Sequence, residues 1–212
     1  MDTVGSGCMS VSIPGMEDAE CIMLFGYNPS ASHPIVSRRI VRAKEKGAKI
    51  IVVDPRVIET ARIADIHLQI NNGCNIAFLN AFANAIVTEN LHDKQFIEEH
   101  TNGFDEWWET IKNYTPESVE HITGVDPELM RRAARMYATA KTSILGWGMG
   151  VAQQKQNVLT VHTLAAIACI SHQIGKPNAG LAPVRGQNNV QGSCDMGMLP
   201  NLYPGYQKAT DI

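Results

Sequence analysis

The sequence predicts an α/β protein: a Rossmann-like parallel sheet with helices on both faces, folded as a single domain. Three observations predict it. Short continuous apolar runs at 22–25, 49–53 and 142–145 end at glycine or Asp-Pro, as strands buried on both faces do. Stretches with the apolar spacing of helices separate them. The chain has 212 residues, 44% of them hydrophobic, enough for one well-buried core and little more.

Residues 1–19 carry Gly5, Ser6, Gly7 and Pro14 and read as irregular. Gly5-Ser6-Gly7 is no nucleophile elbow, because no strand–turn–helix context surrounds it. Ile22–Phe25 is the first strand, stopped by Gly26. Asn28-Pro29 marks a turn, and Ser32 or His33 then caps a helix with Pro34 at its first position. Ile35, Val36, Ile40 and Val41 form its apolar side, and Gly47 ends it. Lys49–Val53 is the second strand, closed by Asp54-Pro55, and His67–Ile70 reads as the third.

After the turn at Asn72-Gly73, Ile76, Leu79, Ala83, Ile86 and Val87 space out an amphipathic helix. Residues 93–140 read as helical but less regular, with cap-plus-proline starts at Thr115-Pro116 and Asp126-Pro127. Trp107-Trp108 reads as a packing feature of one of these helices. Thr142–Leu145 is a fourth strand, and Val158–Ile174 a long apolar helix closed by Gly175 and Pro177. The domain therefore spans 1–187, with its folded body from about residue 15. Residues 188–212, with Gly192, Gly197, Pro200, Pro204 and Gly205, read as an irregular segment leading into a domain outside this sequence.

A net charge of −3 and a pI near 6.1 argue against nucleic acid or an anionic membrane as partner. No apolar run approaches the roughly 18 residues of a membrane span, and no secretory signal is visible, so the expected compartment is the cytoplasm. The cysteines Cys8, Cys21, Cys74, Cys169 and Cys194 are scattered and read as small buried hydrophobes. Neither they nor the histidines have metal-ligand spacing, so no metal site is expected.

In an open parallel sheet, ligands bind outside the C-terminal ends of the strands. Gly26-Tyr27-Asn28, Asp54-Pro55-Arg56 and Gly148-Met149-Gly150 all follow such ends. Asn28 and Ser32 precede a helix start, where an anion such as phosphate is favoured; a plain cap is the alternative. Asp54 stands where an acid often meets a ribose or base edge, and Arg56 can pair with phosphate or with Asp65. Gly180–Gly197 holds one cation, Arg185, and one acid, Asp195, among amides and glycines. It has too little apolar surface for a core strand, and its glycines disfavour a helix. An ordinary polar loop is one reading of it.

The other reading comes from resemblance. Pro183–Gly197 is similar to the active-site segment of molybdopterin-dependent formate dehydrogenases, catalytic subunits of the dimethyl-sulfoxide-reductase family. Phe25–Pro29, Ser32–Pro34, Val53–Arg56, Glu59–Asp65, Tyr114–Ser118 and Trp147–Gly150 fall in the same order as in that family, and the likeness runs from about Val4 to Tyr206. It implies that this domain holds one guanosine diphosphate arm of a bis-molybdopterin guanine dinucleotide cofactor carrying molybdenum or tungsten. It implies cofactor contacts at Asn28, Ser32, Val53, Arg56, Gly73, Asn75, Met149, Gln153 and Gln187. Ala31, acidic in some relatives, is not carried over.

Arg185 is the expected catalytic residue. A guanidinium is a planar fork that matches a carboxylate, and formate is the smallest carboxylate. A structural salt bridge to Asp195 is the alternative. The family's metal-ligating cysteine or selenocysteine, followed by histidine, and its cysteine cluster for an iron–sulfur centre find no counterpart here, since no Cys-His dipeptide occurs. The resemblance places them upstream of Met1, so the chain reads as a fragment that is inactive alone. Its expected partners are formate, the remaining domains of the catalytic subunit and an electron-transfer subunit. Two other readings stay open: a molybdopterin oxidoreductase of the same family with another substrate, and a non-catalytic dinucleotide-binding or subunit-interaction module.

Overall fold

Strand β1 (Cys21–Phe25) is buried along its whole length because both of its faces are covered. Cys21, Met23 and Phe25 enter one core, while Ile22 and Leu24 enter another on the opposite face. The computed structural model describes residue 4 and residues 8–210; Gly5-Ser6-Gly7 lies outside them. Before β1, Pro14–Asp18 forms a short 3-10 helix where the sequence reads as irregular, with Pro14 at its start and Met16 buried against the sheet.

After β1 come a single turn, α1 (Pro29–Ser32), and α2 (Pro34–Glu45). His33 occupies the capping position of α2, yet neither it nor Ser32 caps α2 through a side chain. The Ser32 hydroxyl instead turns back to the Asn28 carbonyl, 2.8 Å away. β2 (Lys49–Val53), α3 (Glu59–Ile63) and β3 (Ile66–Leu68) follow. β3 starts and ends earlier than predicted. The Asp65 N–H, bonded to the Ile50 carbonyl, sets its register, and beyond Leu68 the chain leaves the sheet to pair Asn71 N–H with Thr123.

Next lie α4 (Asn75–Thr88), α5 (Lys94–His100), α6 (Phe104–Ile111), α7 (Pro116–Thr123) and α8 (Pro127–Thr139). The Thr115 and Asp126 side chains cap α7 and α8 through the N–H groups of Ser118 and Leu129. Trp107 and Trp108 pack α6 onto the core. α4 is not amphipathic as the spacing suggested. It packs against α7, α8 and α10 as well as facing the sheet's core, and even Asn80 and Asn84 on it are buried. Asn84 is satisfied by the carbonyls of Ile111 and Lys112.

β4 (Ser143–Trp147), α9 (Met149–Ala152), α10 (Asn157–Ile170) and β5 (Gly180–Pro183) complete the sheet. α10 stops before the predicted Ile174. His172 has a left-handed backbone, and the Gln173 side chain is taken by Ser143 N–H and the Ala140 carbonyl at the foot of β4. The start of the stretch read as too polar for a core strand forms β5, at the edge of the sheet. An edge strand needs little apolar surface, and Ser10, remote in sequence, bonds the N–H and the carbonyl of Leu181 along its free side. α11 (Val190–Asp195) and the antiparallel pair β6 (Leu202–Tyr203) and β7 (Gln207–Lys208) give residues 188–212 more order than predicted. Gly192 suits α11, since a Cβ there would approach the Asn189 side chain to 2.5 Å.

Five parallel strands stand in the order β3-β2-β1-β4-β5. Their registers align Leu68, Val53, Phe25, Trp147 and Pro183 in one row along the C-terminal edge. α4, α8 and α10 cover one face, and α2 with the 3-10 helix covers the other. Along the opposite edge, charge is paired. Asp65 accepts from Lys44 Nζ at 2.5 Å and Ile50 N–H at 2.8 Å, with Lys49 Nζ 3.5 Å away. Burial alone would raise its carboxyl, but Lys44, the Ile50 N–H and Lys49 outweigh it and hold the group below the usual aspartate range. Glu17 takes Arg39 and Arg42, and Glu20 accepts the Lys141 N–H.

Candidate nucleotide and substrate cleft

The strand order reverses between β1 and β4, and a crevice opens at such a switch point. Here two loops meet backbone to backbone. Gly26, directly after β1, has φ 56°, and the Gly150 N–H donates to its carbonyl at 3.1 Å. A Cβ on Gly150 would lie 2.6 Å from that oxygen, so the contact excludes a side chain. Around it lie three adjoining cavities of about 120, 220 and 510 Å³. Gly26, Arg56 and Gly150 are shared by the first two, and Gly148, Met149, Val184 and Gly186 by the last two. All ten sequence-predicted site residues line this row of cavities.

Val53, Arg56, Gly73 and Asn75 line the smallest. The Val53 side chain is buried, and its carbonyl accepts the Gly26 N–H at 2.8 Å. Asp54 Oδ1 accepts the Arg56 N–H at 2.9 Å and its Nε at 3.2 Å. Arg56 thus pairs with Asp54, while Asp65 is engaged by lysines at the far edge of the sheet. The Arg56 side chain remains 70% exposed, so its guanidinium can still meet an anion. Asn75 Nδ2 is buried with no hydrogen-bond partner, beside the left-handed and sterically open Gly73. An orphaned buried donor costs about 1–3 kcal/mol, which a ligand's acceptor would recover.

Asn28, Ser32, Tyr27 and His33 line the middle cavity with Arg56 and Met149. Asn28 Oδ1 accepts the Ala31 N–H at 3.4 Å. Tyr27 Oη is a second buried orphan, and burial pushes its phenol up, so it keeps its proton. His33 Nδ1 lies 2.8 Å from Ser32 Oγ, and its Nε2 lies 2.7 Å from the main-chain carbonyl of Arg185.

Met149, Gln153, Arg185 and Gln187 line the 510 Å³ cavity, the largest of these three, whose wall is mostly apolar, with Trp147, Val158, Leu181 and Val190. Arg185 Nη2 donates to Gln191 Oε1 at 3.1 Å. Gln191 Nε2 in turn reaches Asp195 Oδ1 at 3.0 Å and Tyr206 Oη at 2.8 Å, and Tyr206 donates to the same carboxylate oxygen at 2.7 Å. Asp195 therefore bears on Arg185 through an amide whose orientation it fixes.

Tyr27, His33, Gln191 and Tyr206 are the site residues that the sequence reading passed over. The first three stand inside segments already singled out, but their roles depend on contacts that local spacing does not show. In charge and shape the row suits an elongated anionic ligand with one polar and one largely apolar end. Two arginines and one tied-up carboxylate are its charged side chains, and two orphaned polar atoms belong to residues at its polar end.

Comparison with known proteins bears on the family of the chain. Residues 1–210 match the family described as molybdopterin oxidoreductase. Formate dehydrogenase H of Escherichia coli strain K12 is 54% identical over 209 residues, which are 99% of this chain and 29% of that protein. The F420-dependent formate dehydrogenase subunit alpha of Methanocaldococcus jannaschii is 51% identical over 98% of this chain and 31% of its own length. Among solved structures, acetylene hydratase from Pelobacter acetylenicus superposes with a TM-score of 0.71 at 27% identity, covering 77% of this chain and 24% of that one. The chain thus spans under a third of each of these proteins. Among the described residues, no helix is long and apolar enough to cross a membrane.

Proposed function

The chain belongs to the molybdopterin oxidoreductase family, and we propose that it is the part of a formate dehydrogenase catalytic subunit that holds one guanosine diphosphate arm of a molybdopterin guanine dinucleotide and presents Arg185 to formate. The observation that carries this reading is the row of three cavities along one sheet edge, lined by every residue the resemblance selects. The orphaned Asn75 Nδ2 and Tyr27 Oη fit such a ligand, since both need a polar partner that the protein does not supply.

In this reading Asn75 and Gly73 meet the base, Arg56, Asn28 and Ser32 meet ribose and diphosphate, and Met149, Gln153 and Gln187 meet the pterin side. When bound, the group supplies a molybdenum or tungsten centre that accepts the two electrons released as formate becomes carbon dioxide. Arg185 binds and orients the carboxylate through two parallel N–H donors, and its charge stabilises negative charge that shifts during the reaction. Gln191, fixed by Asp195 and Tyr206, limits the rotamers open to that guanidinium. Arg185 itself is exposed, so the apolar wall of the 510 Å³ cavity shields the fork only when bound ligand covers it. Electron exit falls to an iron–sulfur centre and a partner subunit outside these residues. A family member with another substrate is the runner-up reading, and the arginine separates the two.

Arg185→Lys in the complete cofactor-loaded subunit keeps the charge and loses the fork. We expect kcat/KM for formate to fall by roughly 2–4 kcal/mol in transition-state free energy with the fold intact. A change within a few-fold of wild type would return Arg185 to a structural role and favour the runner-up.

A further inference from the structure

His33 bridges two parts of the cleft that the sequence keeps far apart, and its hydrogen bonds can be counted. Ser32 Oγ lies 2.8 Å from the Asn28 carbonyl, which can only accept, so the single hydroxyl proton points there. The lone pairs of that oxygen then face His33 Nδ1, 2.8 Å away. On the other side of the ring, Nε2 stands 2.7 Å from the Arg185 carbonyl, another pure acceptor. Both ring nitrogens must donate for all three bonds to exist together. Only the imidazolium does this.

We propose that His33 is a positioning residue that works as an imidazolium, tying Ser32 at the diphosphate end of the cleft to the main chain of Arg185, so that diphosphate binding takes up a proton and fixes the arginine. The inference rests on the cofactor reading above. The groups facing the ring account for the coupling. Arg56 shares its cavity, Arg185 follows the strand end opposite, and Tyr27 packs against the ring at 5.5 Å as a neutral phenol. The β4 side of the cavity contributes Gly148, Met149 and Gly150, and no carboxylate lines it. Without an anion, Arg185 and, more weakly because Asp54 pairs with it, Arg56 oppose a third positive charge. A diphosphate in the cavity reverses that balance.

The test uses the full 212-residue chain, guanosine diphosphate as probe and ring-nitrogen NMR of His33. Amide shifts at residues 28–32 and at Arg56, together with conversion of both His33 ring nitrogens to protonated imidazolium signals, are expected. Binding with His33 left in a neutral tautomer would overturn the inference and leave the cofactor reading standing. Absence of any shift around the cleft would overturn both. A second measurement uses His33→Gln, which keeps one donor for Arg185 and does not titrate. Titration of the free ligand is common to both measurements and cancels, so the difference between the two profiles reports the ionisation that His33 brings to the complex. From pH 6 to 8 wild-type affinity should fall about tenfold relative to the variant, the size of a one-unit linkage. Parallel pH profiles would sink the proposal.

Discussion

The two edges of the sheet are built from the same five strands and treat polar groups in opposite ways. At the N-terminal edge, charge and hydrogen-bonding capacity are closed off locally: Asp65 takes two lysines and a backbone N–H, Glu17 takes two arginines, and Gln173 seals the foot of β4. At the C-terminal edge, Asn75 Nδ2 and Tyr27 Oη stay buried and unpartnered, and Arg56 holds most of its surface in solvent. One edge secures the fold. The other carries desolvated or unpaired groups that cost stability and pay off on binding.

The sharpest way to break this contrast is at the one place where the binding edge is also tightly packed. Gly150→Ala would place a methyl 2.6 Å from the Gly26 carbonyl, which as backbone cannot swing aside. A loss of about 3 kcal/mol is expected in chemical denaturation, with nucleotide binding lost as well. A cost below about 1 kcal/mol would mean that the two loops separate easily and that the crevice is soft.

Asp65→Asn tests the other edge. It removes the charged partner of Lys44 and Lys49 while keeping the shape, and should cost about 1–2 kcal/mol without touching the cleft. The pH dependence has a definite sign. The folded carboxyl titrates below the ordinary aspartate value, so its contribution is complete above about pH 4 and disappears as the pH falls below that. Denaturation midpoints of wild type and variant should therefore converge in acid. A gap that persists at low pH would assign the effect to packing.

Arg56→Ala should have the smallest effect on stability, within about 0.5 kcal/mol, since the side chain is largely exposed. It should nonetheless shrink the amide response of residues 28–32 and of Asn75 to guanosine diphosphate. An unchanged response would take Arg56 out of the cleft's chemistry.

How much of this was legible in the sequence depended on where the determining contact lies. β2 was legible to the residue, because burial on both faces leaves a continuous apolar run and Asp54-Pro55 stops it. The caps at Thr115 and Asp126 were legible for a similar reason, since the side chain acts within three residues. The sidedness of α4 was not, because what buries its polar stripe is the later helices α7, α8 and α10. β5 was hidden too, since the Ser10 that completes it is 171 residues away. At the site, periodicity placed the strand-end loops. Gly73, Asn75 and Gln153 were reached through family resemblance alone, and the His33 contact to Arg185 spans 152 residues without any local signal.

The contact of Gly26 with Gly150 also bears on the order in which the molecule assembles. β1 and β4 are neighbours in the sheet, yet their paired ends are joined through an excursion of 122 residues, from Glu20 to Thr142. Closing so long a loop is an entropic toll that local helix formation cannot meet, and pairings of this separation form late and slowly. β1, β2 and β3, with α2 and α3, can condense early from their short connections. The crevice cannot exist until α4 to α8 have folded and delivered β4 to its place. A ligand that touches both loops therefore finds its second wall only in molecules whose β4 is already in place.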